Sequence, residues 1–231
     1  MDKNELTKKI ENFAPLYLAE EWDVSGWIVD VQDKPQVQKV MICLTVTDDV
    51  VQQAKNMNCD MIVSHHPLFC VPFEYRDINI YCAHTNLDRA QGGTTDELIK
   101  ILDLNNFIVK SDEDSFVRYV ECQFDVRAFT EKLCRISKNV RVVNNKNAQQ
   151  INKIAFCSGS GSEFIQEAVE NGADAFVTGD IKFHTAIESP VVLFDIGHFE
   201  SEIPVLKVFS KLLFSEVQTV FANERSPFKS V

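Results

Sequence analysis

The sequence predicts an α/β fold with largely parallel strand pairing, and three observations carry that prediction. Short apolar runs alternate with amphipathic segments of helical period along most of the chain. The chain also resembles itself, since a shift of 114 positions lays residues 51–88 over residues 165–202 without a gap. At 231 residues and 45% hydrophobic content there is enough apolar material for one large core or two small ones.

In chain order, the amino-terminal "NELTKKIENF" has helical spacing, "VQKVMICLTVT" reads as a buried strand, and "DDVVQQAKNMN" as a helix opened by acidic residues. "DMIVS" and "INIYCA" are two further strands, followed by the helix "TTDELIKILDL" with threonine available as its cap. The second half opens on the strand "FVRYVECQF" and the helix "VRAFTEKLCRISK". It continues through "KIAFCSG", "SEFIQEAVENG", "DAFVTGD", "VVLFDIG", "IPVLKVFSKLLF" and "VQTVFA". The acidic "KSDEDS" at 110–115 changes composition most sharply and is the expected linker, giving halves of 1–112 and 113–231.

A formal charge of −11 and a pI near 4.9 argue against nucleic acid or an anionic membrane as partner. The amino-terminal segment has no apolar core or cleavage pattern of a secretory signal, and no window reaches the ~18 apolar residues of a membrane span. Seven scattered cysteines form no CxxC pair, so neither a disulfide framework nor a thiolate zinc site is indicated. Cys70 and Cys82, near the histidines, are read as ordinary buried thiols. A cytoplasmic location is expected.

The histidines are where chemistry collects. His65 and His66 close "DMIVS", His84 closes "INIYCA" and His198 closes "VVLFDIG", so imidazoles are expected at the carboxyl ends of strands, where α/β sheets present functional groups. Asp88 and Glu202 each follow a histidine by four residues, one helical turn if a helix starts there. The internal repeat places His84-x-x-x-Asp88 over His198-x-x-x-Glu202, and His65-His66 over Gly179-Asp180. Acidic residues in a first helical turn also simply complement the helix dipole, and a lone histidine such as His184 is more often solvated than ligating. The joint pattern points to metal: imidazole and carboxylate donors without thiolates suit an open site for zinc, manganese, iron or nickel. There are more donors than one tetrahedral ion uses, which favours two ions. Pro67 would fix the chain leaving the strand and hold the two adjacent imidazoles apart. "SGSGSEF" is no phosphate-loop fingerprint, although its backbone amides at a helix start could receive an anion.

These residues carry a resemblance. "FAPLYLAEEWD", "DMIVSHHPLF", "CAHTNLDRAQGG", "CSGSG", "GADAFVTGDIKFH", "DIGHFESE" and the terminal "SPF" run in order over about residues 5–228. The chain thereby resembles the GTP cyclohydrolase I type 2 homologue family, also called NIF-three-like proteins. The resemblance implies two intertwined, repeated α/β halves with mixed, largely parallel sheets and a ring-shaped hexamer. It also implies a dinuclear centre held by His65, His66, Asp88, His198 and Glu202, with Glu202 bridging the ions. "WDVSGWIVD" departs from the family's W-D-N-V-G-L-Q-V-G, Thr45 stands where an aspartate is common, the segment from His184 to Asp195 is short, and the large inserted domain of longer members is missing.

The resulting expectation is a cytoplasmic, dinuclear metal-dependent hydrolase for a small nucleotide-like molecule. His84, Asp180 and His184 are the candidates for proton transfer or support of the ligands. The alternative is a metal carrier, sensor or ring-shaped scaffold without turnover.

Overall fold

Strands form where the apolar runs are shortest and most β-branched, and helices where polar residues break those runs at helical spacing. The computed structural model describes residues 1–109 and 115–229. Most of the expected linker, 110–114, therefore lies outside the described residues. The helices are α1 (Lys3–Phe13), α2 (Asp48–Asn56), α3 (Thr85–Arg89), α4 (Thr94–Ile101), α5 (Val126–Leu133), α6 (Ile165–Glu170), α7 (Phe183–Glu188), α8 (His198–Glu202) and α9 (Leu206–Leu213). The first strands are β1 (Gly26–Val29), β2 (Lys39–Cys43), β3 (Met61–Ser64) and β4 (Asn79–Cys82). β5 (Ile108–Val109), β6 (Arg118–Asp125), β7 (Arg141–Val143), β8 (Gln150–Phe156), β9 (Ala175–Thr178), β10 (Val192–Asp195) and β11 (Gln218–Phe221) complete the set.

The chain divides into two compact units, Met1–Gly93 with Val205–Arg225, and Thr94–Pro204 with the tail from Ser226. The division falls after Gly93, not after residue 112. The reason lies in α4, whose Leu98 and Ile99 are buried with Val120, Phe129 and Phe156 of the second unit. Composition marked the acidic stretch, but contacts define the unit.

In the first unit the sheet order is β1-β4-β3-β2-β11, parallel except for β1. Met41, Cys43, Ile62 and Ile80 pack with Val50, Val51 and Ala54 of α2. The alternate residues Val40, Ile42, Met61 and Val63 are as deeply buried, as strand alternation requires of a sheet covered on both sides. α9 packs on β2 and against α1. Thr47 caps α2 by accepting from the Val50 amide at 3.3 Å, and Asp48 and Asp49 complement its amino-terminal dipole.

The second unit has the order β5-β6-β8-β9-β10-β7. β8, β9 and β10 are parallel, while β5, β6 and β7 add antiparallel edges. α4 and α5 cover one face over Ile154, Phe156, Val177 and Phe194, and α6 covers the other over Ala155, Phe176 and Leu193. The 114-residue register holds in kind: β3 corresponds residue for residue to β9, and the short helices α3 and α8 start within one residue of corresponding positions.

Strand register decides what meets at the sheet edges. Cys43 pairs with Ser64, and Ser64 with Cys82, so two residues later Thr45, His66 and His84 emerge at one level. In the second unit Thr178 pairs with Asp195, which brings Asp180 and Gly197 out together beside His198.

Candidate metal centre

Each unit presents its own set of imidazole and carboxylate donors at the carboxyl ends of its parallel strands. In the first unit His65 is fully buried and its Nδ1 lies 2.9 Å from the Ala83 carbonyl oxygen. A carbonyl can only accept, so Nδ1 carries the proton and Nε2 the lone pair. That lone pair faces Asp88 Oδ1 at 3.4 Å. Two acceptor atoms at this separation need a cation between them, either a proton or a metal ion. A tetrahedral ion about 2.0–2.1 Å from each ligand sets neighbouring ligands roughly 3.3–3.4 Å apart.

His66 Nδ1 lies 2.7 Å from Thr45 Oγ1, where a hydroxyl accepting from Nδ1 would place the ring's lone pair on Nε2. Thr45 is itself fixed, because its amide and that of Leu44 donate to Glu224 at 2.9 and 2.7 Å. The residue that departs from the family pattern therefore sits directly behind a histidine. His84 Nδ1 lies 2.9 Å from Asp23 Oδ1. The donor atoms of His65, His66 and His84 all fall within 4.8 Å of one another, a group that could hold a metal ion.

Asp23 is the residue that sequence reasoning missed. Its side chain is buried and also accepts from the Thr85 hydroxyl at 2.5 Å, the Thr85 amide at 3.1 Å and the Ser25 hydroxyl at 2.7 Å. Burial alone would raise its pKa, but hydrogen bonds from His84, Thr85 and Ser25 outweigh it and hold the carboxyl well below its ordinary range. The stabilisation this gives is present above the unfolded value of 3.8 and is lost only as pH falls through the lower folded value. Asp23→Asn is expected to lower stability by about 1–3 kcal/mol, measured by denaturant unfolding at pH 7, because an amide cannot accept from every donor around it. Its position in "EEWDVSG" was the available signal.

In the second unit His198 Nδ1 lies 2.7 Å from Asp180 Oδ2, and Nε2 lies 3.0 Å from Glu202 Oε2. Burial pulls the His198 pKa down, yet hydrogen bonds and attraction from Glu202 and then Asp180 lift it from 6.5 to about 9. Asp180 adopts a left-handed backbone, φ +55°, that turns its carboxylate toward His198, a conformation aspartate tolerates better than most residues. Glu202 is buried, and Gly159, at φ +68°, lies against it where a Cβ would collide with Oε1. Ser201 ties α8 down, its hydroxyl accepting from the Gly159 amide at 2.8 Å and donating to the His198 carbonyl at 2.7 Å.

Three amides of "SGSGSEF" are engaged by side chains of the protein itself. The Ser158 amide donates to Thr95 Oγ1, that of Gly159 to Ser201 Oγ and that of Gly161 to Thr178 Oγ1. His184 lies exposed on α7 with its ring against Phe183, outside both donor groups. Cys82 is buried as expected and its thiol donates to the His65 carbonyl, whereas Cys70 is exposed because it follows the strand end into a surface loop.

The four grouped histidines thus share one arrangement, Nδ1 against a fixed protein oxygen and Nε2 turned away from it. This is the support that metal-ligating histidines commonly have. The family model for Duf34/NIF3 (NGG1p interacting factor 3) matches residues 1–227. The chain belongs to the Duf34/NIF3 family.

Among similar Duf34/NIF3 relatives is a Clostridium perfringens (strain 13 / Type A) protein called GTP cyclohydrolase 1 type 2 homolog, 34% identical and covering all of both chains. Reduced HcgD from Methanocaldococcus jannaschii is 29% identical, covers 97% of this chain and 98% of its own, and superposes with a TM-score of 0.82. A hypothetical protein of Staphylococcus aureus, 23% identical, shares the fold over 100% of this chain and 99% of its own with a TM-score of 0.85. Among the described residues of this Duf34/NIF3 protein no helix is long and apolar enough to cross a membrane.

Proposed function

We propose that the chain is a dinuclear metal-dependent hydrolase acting on a small nucleotide-like molecule. His65, His66, Asp88, His198 and Glu202 would hold two divalent ions, zinc, manganese, iron or nickel. The observation that carries this reading is the shared orientation of the four imidazoles, each tied at Nδ1 to Ala83, Thr45, Asp23 or Asp180. The names of the relatives, GTP cyclohydrolase 1 type 2 homolog, support the substrate class.

When bound, such a pair of cations would lower the pKa of water and polarise the attacked group. The chain's own residues supply the rest. Asp180 and the Ala83 carbonyl keep the ligating tautomers of His198 and His65. His84, with its Nδ1 proton held by Asp23, would present Nε2 to accept a proton from the reacting water or return one to the leaving group. Exposed Phe73 of the first unit and Phe183 and Ile187 of the second support assembly into an oligomer, proposed as a ring-shaped hexamer.

Elemental analysis of protein purified without a metal-affinity tag, paired with assays against GTP and a panel of phosphoesters, tests the reading. About two transition-metal ions per chain are expected, with turnover that disappears in His66→Ala. Fewer than about a tenth of an ion per chain would count decisively against the centre. Metal that transfers reversibly without any turnover would make the protein a carrier instead.

A further inference from the structure

The hydrogen bond between Thr45 and His66 has no direction of its own. A threonine hydroxyl can donate or accept, and so can a neutral imidazole nitrogen, so at 2.7 Å both arrangements fit. The choice matters for the site. A hydroxyl that accepts from Nδ1 leaves the lone pair on Nε2, whereas a hydroxyl that donates to Nδ1 puts the ring proton on Nε2 and closes it to a cation. His65 and His84 face no such choice, since their Nδ1 atoms lie against the Ala83 carbonyl and the Asp23 carboxylate, which only accept.

A carboxylate stands behind Thr45 that can decide the matter. β11 runs parallel to β2, and the chain beyond it stays clamped to the same end of the sheet. The Ala222 amide donates to the Ile42 carbonyl at 2.9 Å, and Asn223 exchanges two hydrogen bonds with the Gln53 side chain of α2, at 2.8 and 3.4 Å. Glu224 then reaches the Leu44 and Thr45 amides with one oxygen each, at 2.7 and 2.9 Å. The Leu44 carbonyl in turn accepts from the His66 amide at 2.8 Å, so backbone and ring of His66 both rest on the two residues that Glu224 holds. Glu224 is half-buried, and among the described residues no cationic side chain pairs with it. A negative charge at the Thr45 backbone, weakly screened there, attracts the hydrogen end of the neighbouring hydroxyl dipole. That draws the hydroxyl hydrogen away from His66 and leaves an oxygen lone pair for the Nδ1 proton.

We propose that Glu224 is a positioning residue that sets the direction of the Thr45–His66 hydrogen bond, and with it the tautomer that leaves His66 Nε2 open to a metal ion. The use made of that nitrogen rests on the metal-dependent reading above, but the tautomer itself can be measured in metal-free protein.

The test is long-range proton–nitrogen NMR of the metal-free full chain at a pH where the ring is neutral, with His66 signals assigned by their absence from His66→Ala. Zinc affinity is measured on the same samples by chelator competition. The wild type is expected to show the Nδ1–H form of His66. Glu224→Gln keeps the length of the side chain and one acceptor oxygen but removes the charge. It is expected to populate the Nε2–H form and to weaken zinc at least about tenfold, as loss of support behind a ligand does. Should the glutamine variant fail to fold, Glu224→Ala, which leaves both amides to water, carries the same test. Thr45→Val deletes the hydroxyl, and adding Glu224→Gln to it should change neither readout further, a result that a merely structural role of Glu224 does not give. Thr45→Asp combined with Glu224→Gln should restore the Nδ1–H form, because a carboxylate can only accept. An Nε2–H ring in the wild type, or a tautomer unmoved in both Glu224 variants, overturns the proposal. So does an effect of Glu224→Gln that persists in full without the Thr45 hydroxyl. A Glu224-dependent tautomer in a chain that takes up no zinc would sustain the proposal and sink the metal-dependent reading. Zinc uptake and turnover with a tautomer indifferent to Glu224 would do the reverse.

Discussion

On the proposed dinuclear reading, Glu202→Gln is expected to lower metal affinity by more than about 100-fold and to abolish turnover, because it would replace an anionic ligand by a weak neutral one. Loss of a supporting residue behind a ligand already costs about 10–100-fold, so loss of a ligand must exceed that. The geometry constrains this side chain closely. Glu202 is buried, with Gly159 against its carboxylate and His198 Nε2 at 3.0 Å. The metal-free protein gives a second readout. There Glu202 is the main reason that the His198 imidazole is lifted to about 9, so its NMR titration in the variant should fall toward 6.5. For a raised histidine the contribution to stability is complete below the unfolded value of 6.5 and disappears as pH rises through about 9. Metal-free wild type should therefore lose stability across that window, and the variant should lose much less. An unchanged metal content in Glu202→Gln would remove this residue from the proposed ligand set.

The places where polar groups leave the sheets were legible in the sequence, because an apolar run that stops at a histidine or a glycine marks a strand end without any knowledge of its neighbours. His65, His66, His84 and His198 were found in this way. Their partners were not. Asp23 is 61 residues from His84, and Thr45 reaches His66 only because two strands pair in one register. The i,i+4 rule served unevenly for a local reason. His198 lies inside α8 and does meet Glu202, whereas His84 precedes α3 with a non-helical backbone, φ −112° and ψ −104°. Asp88 accordingly faces the buried His65. The edge strands β1 and β7 also escaped notice, being three or four residues long and incompletely buried, with too few positions to show a period.

Gly159→Ala should disable the second unit's donors without removing one of them. Two costs combine at this position. The backbone at φ +68° is a conformation that costs an L-residue about 1–2 kcal/mol. The added methyl would also overlap Glu202 Oε1 and crowd His198 Cε1, an overpacking cost of about 1–3 kcal/mol. A fall in melting temperature of roughly 5–15 °C is expected for a chain of this size, together with metal content reduced toward that of Glu202→Gln. Gly172→Ala separates the two causes, since that glycine has φ +75° and nothing within 4 Å of its Cβ position. It should share the backbone penalty and keep its metal. If both variants retain metal equally, Gly159 serves only the turn and the close approach to Glu202 has no part in ligation. If only Gly159→Ala loses it, the glycine in "CSGSG" is there to make room for a carboxylate, which gives that motif a physical role that no phosphate-binding reading supplies.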